Sequence, residues 1–192
     1  MKAVRQVGLA RIVRFLWVSF LLTLLRRTWL PPVRAFFLRR CGARIGRDTI
    51  IHAVTPINVD RGGFRALSIG DGCFIGDEVL FDLAAPVVIE DHVTLATRAM
   101  VLTHLNVGYA DHPLQARFPS KTAGVTLRRG SFIGAGATIL AGCSVGPEAF
   151  VAAAALVNRD VGQGETVRTA RMPTVLPPDG AGAPNPGSEW RR

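Results

Sequence analysis

Residues 125–161 read VTLRRGSFIGAGATILAGCSVGPEAFVAAAALVNRDV, and a beat of six runs through them. Leu127, Ile133, Ile139, Val145, Val151 and Val157 stand six apart, and four positions after each comes Ser131, Ala137, Cys143, Ala149, Ala155 or Val161. Glycine directly follows the apolar residue at Gly134 and Gly146. A period of six fits neither a helix, near 3.6, nor the two-residue alternation of a flat sheet. It fits a coil of short parallel strands in which each turn stacks on the one before.

Upstream, the beat runs through Ile45, Ile51 and Ile57, with Thr49 and Thr55 in the compact slots. The stretch DRGGFRA (60–66) interrupts it as a loop. The beat resumes at Ile69, Ile75 and Phe81, followed by Cys73, Val79 and Ala85, slips by two residues near 86–88, and continues through Ile89, Leu95 and Val101. A second loop, 105–124, leads into the opening stretch. Three beats make one triangular turn of about 18 residues, which gives about five stacked turns beginning near Ile45, Ile69, Ile89, Leu127 and Val145. The expected fold is therefore all-β, a parallel β-helix occupying 41–167. The C-terminal tail is 168–192, and within it 173–192, rich in Pro, Gly and Ala and without a beat, is expected to be mobile.

Residues 1–40 have another character. FLWVSFLLTLL (15–25) is a mostly apolar run between Arg14 and Arg26-Arg27, too short for the about 20 residues of a spanning helix. No small-residue cleavage site follows it, as a signal peptide would require. It reads either as a helix lying at a membrane interface, anchored by Trp17, Trp29, Phe36 and Phe37, or as a helix packed on protein. Pro31-Pro32 is expected to end that helix, and a short basic and aromatic stretch leads on to Cys41.

Composition narrows the function classes. Of 192 residues, 48% are hydrophobic and 19% charged, which argues for a packed core over disorder. The net charge of +9 is carried almost wholly by arginine, since Lys2 and Lys121 are the only lysines. That charge suits anionic partners, yet no nucleic-acid motif accompanies it. Cys41, Cys73 and Cys143 are too few and scattered for a disulfide framework or a CxxC metal site, and the last two fall in compact slots of the beat. They read as core filler in a reducing compartment.

One residue stands out for chemistry. His104 comes three after Val101, at the mouth of the longest internal loop. Stacking arithmetic places Phe81 and Val101 at the same point of successive turns, so Asp82 should lie beneath Leu102, on the side that presents His104. A carboxylate there would fix the imidazole's tautomer; a solvated turn aspartate is the other reading. His112 lies in the loop, and His52 and His92 fall on turns.

The stretch 67–160, and more loosely 41–57, resembles the hexapeptide-repeat acyltransferases. The run LFDLAAPVVIEDHVTLATRAMVLTH (80–104) is most similar to the sugar and polysaccharide O-acetyltransferases of that family. The resemblance implies a left-handed coil, a homotrimer, acetyl-CoA as donor, and active sites in grooves between subunits. It implies His104 as general base toward a sugar hydroxyl of a glycan, sugar nucleotide or lipid-linked precursor, with Asp82 contacting substrate or orienting the base. No metal is expected. Arg117 and Lys121 in the loop, and Arg168 and Arg171 after the last turn, are the candidates for the CoA phosphates. The sequence departs from the family there: the family's Gly-x-Pro-Ala-Lys/Arg-like element is replaced by VRTARMPTVL (167–176). That leaves room for a non-catalytic coil acting as scaffold or glycan-binding subunit. A γ-type carbonic anhydrase would share the coil, but the spacing of His92, His104 and His112 does not match that family's ligands. The expected location is cytoplasmic, peripheral on the inner membrane face if residues 12–40 meet lipid.

Overall fold

The computed structural model describes residues 30–169 and, before them, Leu16, Trp17, Ser19, Phe20, Leu21 and Thr23. Inward-pointing branched residues every sixth position leave each strand only about two residues before the chain must turn. The strands are accordingly short and stack into three flat faces of a left-handed parallel β-helix. The first face stacks β1 (Arg44–Ile45), β4 (Leu67–Ile69), β7 (Val87–Ile89), β12 (Val125–Leu127) and β15 (Ser144–Val145). The second stacks β2 (Ile50–Ile51), β5 (Phe74–Ile75), β8 (Thr94–Leu95), β13 (Phe132–Ile133), β16 (Phe150–Val151) and β18 (Thr166–Val167). The third stacks β3 (Val54–Ile57), β6 (Val79–Asp82), β9 (Met100–Val101), β14 (Thr138–Ile139) and β17 (Leu156–Val157). The strands of the first face begin the five turns where the beat places them. A partial sixth turn follows: Val161 bridges to Val145, and β18 pairs with β16.

The core is a column of the beat residues. Ile75, Phe81, Leu95, Val101, Leu127, Ile133, Ile139, Val145 and Val151 are all fully buried, and the compact slots from Ser131 to Val161 are buried between them. Cys73 and Cys143 are buried and free. The glycines after an apolar beat let one turn approach the next: a Cβ on Gly134 would collide with the backbone nitrogen of Ala153.

The first turn departs from the expected frame. Pro56, not Ile57, pairs with the buried Phe81 and is itself buried, while Ile57 pairs with Asp82 and Thr55 faces outward. The corner between β2 and β3 is one residue shorter than the corner between β5 and β6, so the inward position falls at 56. The stretch after it is ordered rather than a plain loop: Val59–Gly62 forms a helical turn and Phe64–Ala66 a 3-10 turn, with Val59 and Phe64 buried.

Pro31-Pro32 opens a helix instead of closing one. The helix Pro31–Arg40 carries proline at its first positions, where the missing N–H costs nothing. It buries Arg34, Ala35 and Leu38 against β1 and β2, the edge strands of the first turn, and Arg34 donates to the carbonyl of Ile51 at 2.9 Å. Covering that edge withholds its backbone groups from other chains. The described residues between 16 and 23 are helical, and Leu21 packs against the core. Trp29 and residues 170–192 lie outside the described residues, and with them the part of the tail expected to be mobile.

Candidate active site

Each side of the prism meets the next at a corner, and only the corner between the third face and the first is interrupted. From one inward residue to the next across this corner the chain takes 13 residues in the first turn (Pro56 to Ile69), eight in the second (Phe81 to Ile89) and 26 in the third (Val101 to Leu127). In the fourth turn the same corner takes only the six of the beat, from Ile139 to Val145. Three successive turns therefore break step one above another, and the breaks bring polar side chains together.

Asp82 ends β6 with its side chain fully buried. A buried carboxylate is tolerable only when its lone pairs are met, and here each oxygen takes two donors. Oδ1 accepts from Asn58 Nδ2 at 2.7 Å and from the Ala84 N–H at 3.2 Å. Oδ2 accepts from the Thr103 N–H at 2.9 Å and from His104 Nδ1 at 2.5 Å. Burial pushes the Asp82 carboxyl upward. The bonds from His104, Asn58, Thr103 and Ala84 together outweigh it and hold the group below the usual aspartate value.

Thr103 locks the two turns together. Its buried hydroxyl donates to the Asp82 carbonyl at 2.9 Å and accepts from the Ala85 N–H at 3.1 Å. His104 then opens the loop, and β10 (His104–Leu105) pairs antiparallel with β11 (Lys121–Thr122), His104 opposite Thr122. The imidazole is 23% exposed, enough for a substrate atom to reach it. An ionised Asp82 can only accept, so Nδ1 carries a proton, and in the neutral ring the lone pair is on Nε2. Such an arrangement can take up a proton at Nε2, with the tautomer fixed by a buried carboxylate.

The structure thus brings the expected pair, His104 and Asp82, into contact, and Asp82 lies next to the register pair Phe81–Val101 as the stacking requires. Asn58 is the member that the sequence reading missed. It follows directly on β3 with a left-handed backbone (φ 54°) and starts the turn Val59–Gly62. The signal lay in the first frame break: an Asn just after a strand, stacked beside Asp82 one turn on.

Of the other candidates, Lys121 is exposed on β11, one residue from the partner of His104. Arg117 is exposed in the loop, with its guanidinium 5.3 Å from the centre of the Phe118 ring. Arg168 follows β18 on the second face in the partial sixth turn, away from the interrupted corner. Arg171 lies outside the described residues. His112 is exposed and its Nδ1 accepts from the Leu114 N–H at 3.2 Å; His92 is exposed on a turn, and His52 packs its ring 5.2 Å from that of Phe74. Among the described residues no group of three or more His, Cys, Asp and Glu side chains gathers as a metal would require.

No protein-family model matches the chain, and no curated protein sequence does. Solved structures do match in fold. The hexapeptide-repeat-containing acetyltransferase VCA0836 from Vibrio cholerae superposes with a TM-score of 0.71 at 19% identity, over 85% of this chain and 93% of that one. Its complex with acetyl coenzyme A gives 0.66 at 20% identity, over 77% and 78%. A maltose O-acetyltransferase from Clostridium difficile 630 gives 0.68 at 17% identity, over 83% of each chain. At such identities the likeness is one of fold, and the left-handed coil implied by the sequence resemblance is the fold these structures share with this chain.

Proposed function

We propose that this chain is an acetyl-CoA-dependent O-acetyltransferase acting on a sugar hydroxyl of a glycan or its lipid-linked precursor. The observation that carries the reading is the Asp82–His104 pair, with one imidazole nitrogen bound to a buried carboxylate and the ring open at the mouth of the loop. The fold neighbours that bind acetyl-CoA or act on maltose support the donor and the acceptor class.

In this reading Nε2 of His104 removes the hydroxyl proton as the sugar oxygen attacks the thioester carbonyl. Asp82 stabilises the imidazolium so formed through the Nδ1–H bond. The C–S bond breaks, the proton passes from Nε2 to the departing thiolate, and no covalent intermediate with the protein forms. Lys121 and Arg117 supply positive charge near the loop for the donor's phosphates, with Arg168 and Arg171 as further candidates. The active form is a homotrimer with this corner facing a neighbouring subunit, and its place is the cytoplasm.

The test is release of free CoA thiol from acetyl-CoA in the presence of a panel of glycans, with the acceptor's mass gain read in parallel. Thiol release that needs an acceptor, together with an acetylated product, is the expected result. Absence of both with every acceptor would leave a non-catalytic coil as the better reading.

A further inference from the structure

Charge is distributed unevenly along the chain. Residues 1–47 hold eleven Lys and Arg and no Asp or Glu, whereas the remainder holds twelve basic and fourteen acidic residues. The same segment carries large apolar side chains on the outside. Trp17 is 61% exposed, Phe20 58% and Phe36 62%, and Leu16, Leu30 and Val33 stand exposed with them. Trp17 and Phe20 stack at 5.9 Å.

The helix Pro31–Arg40 has no freedom to turn these residues inward. Ala35 and Leu38 are buried against the first turn, and Arg34 is tied to Ile51, which fixes Val33 and Phe36 on the outer side. Arg40 and Arg44 are exposed as well. Among the described residues no helix is long and apolar enough to cross a membrane. Aromatic and aliphatic residues exposed within a wholly basic segment match what an anionic lipid surface offers: an apolar layer to enter and phosphates above it.

We infer that this N-terminal surface docks on an anionic bilayer in the interfacial plane. Trp17, Phe20 and Phe36 enter the headgroup boundary, and exposed arginines of the segment, Arg40 and Arg44 among them, meet lipid phosphates. The end of the coil carrying the first turn then faces the membrane. The inference does not rest on acetyl transfer, because binding is read without turnover.

The experiment is cosedimentation of the full chain with vesicles of phosphatidylcholine alone and of an equal mixture with phosphatidylglycerol. Binding to the anionic vesicles only is expected, and it should weaken markedly as salt rises from about 0.1 M to about 1 M, where the screening length falls from about 10 Å to about 3 Å. The triple variant Trp17→Ser, Phe20→Ser, Phe36→Ser alters exposed side chains, and should bind anionic vesicles about tenfold or more weakly with its thermal midpoint kept. In the parent chain, tryptophan emission should shift to the blue on adding anionic vesicles. Equal affinity for both vesicle types, or unchanged binding by the triple variant, would overturn the inference. So would a drop in assembly mass in the variant with no vesicle binding by the parent, since the patch would then join copies of this chain.

Discussion

The fourth and fifth turns and the interrupted corner of the first three are built from the same repeat, yet they do different work. From β12 to β17 the beat never slips, every inward residue is apolar or small, and the same corner takes six residues from Ile139 to Val145. Below them three insertions stack, and in the space they open lie Asn58, Asp82, Thr103 and His104. The regular half supplies rigidity and carries no buried carboxylate; the irregular half spends that rigidity on holding one. A repeat fold places chemistry where it departs from its own period, because only there can a side chain leave the column without breaking it.

The largest effect should come from removing the imidazole. His104→Ala lowers turnover by about 10²–10⁴-fold in the thiol-release assay while thermal unfolding stays near that of the parent. Near-normal turnover would mean that the corner is not where the chemistry occurs. A cut in the regular half should do the opposite. Ile139→Ala removes a fully buried beat residue and should cost about 2–5 kcal/mol in denaturant unfolding, with kcat unchanged at temperatures where the variant is folded.

Asp82→Asn joins the two halves of the comparison, since it touches both stability and proton transfer. The new amide nitrogen would face donors that now bond a carboxylate, costing about 1–3 kcal/mol at neutral pH. Because the folded carboxyl lies below its unfolded value of about 3.9, its stabilisation is present above that pH and lost as pH falls through the folded value. Unfolding midpoints of parent and variant should therefore converge in acid, and a gap constant with pH would contradict the direction of the shift. The smallest expected effect is that of Asn58→Ala. It removes one donor of four and should cost about 0.5–1.5 kcal/mol, with a fall in kcat larger than any change in KM.

Much of this contrast is legible in the sequence, since one rule governs the regular part. The starts of all five turns, the burial of Cys73 and Cys143 and the approach of Asp82 to His104 follow from counting, because a period-six column has one register. Counting fails where a corner changes length. The shortened corner before β3 moves the inward position from Ile57 to Pro56, and with it the meaning of Asn58, which sits beyond the last beat. The proline pair misleads for a different reason. Proline stops a helix that arrives and starts one that leaves, and only the packing of Ala35 and Leu38 on β1 and β2 decides between them. Arg117 and Lys121 stay uncommitted because a loop position carries no register.

Asn58, Asp82 and His104 are 24 and 22 residues apart in sequence but neighbours in height. In a linear stack each storey leans only on those next to it, so melting frays inward from an end. The end remote from the helix Pro31–Arg40 can therefore open and close without disturbing the imidazole. Amide hydrogens of β17 and β18 should exchange with solvent well before that of Thr103, which is locked onto the Asp82 carboxylate at mid-height.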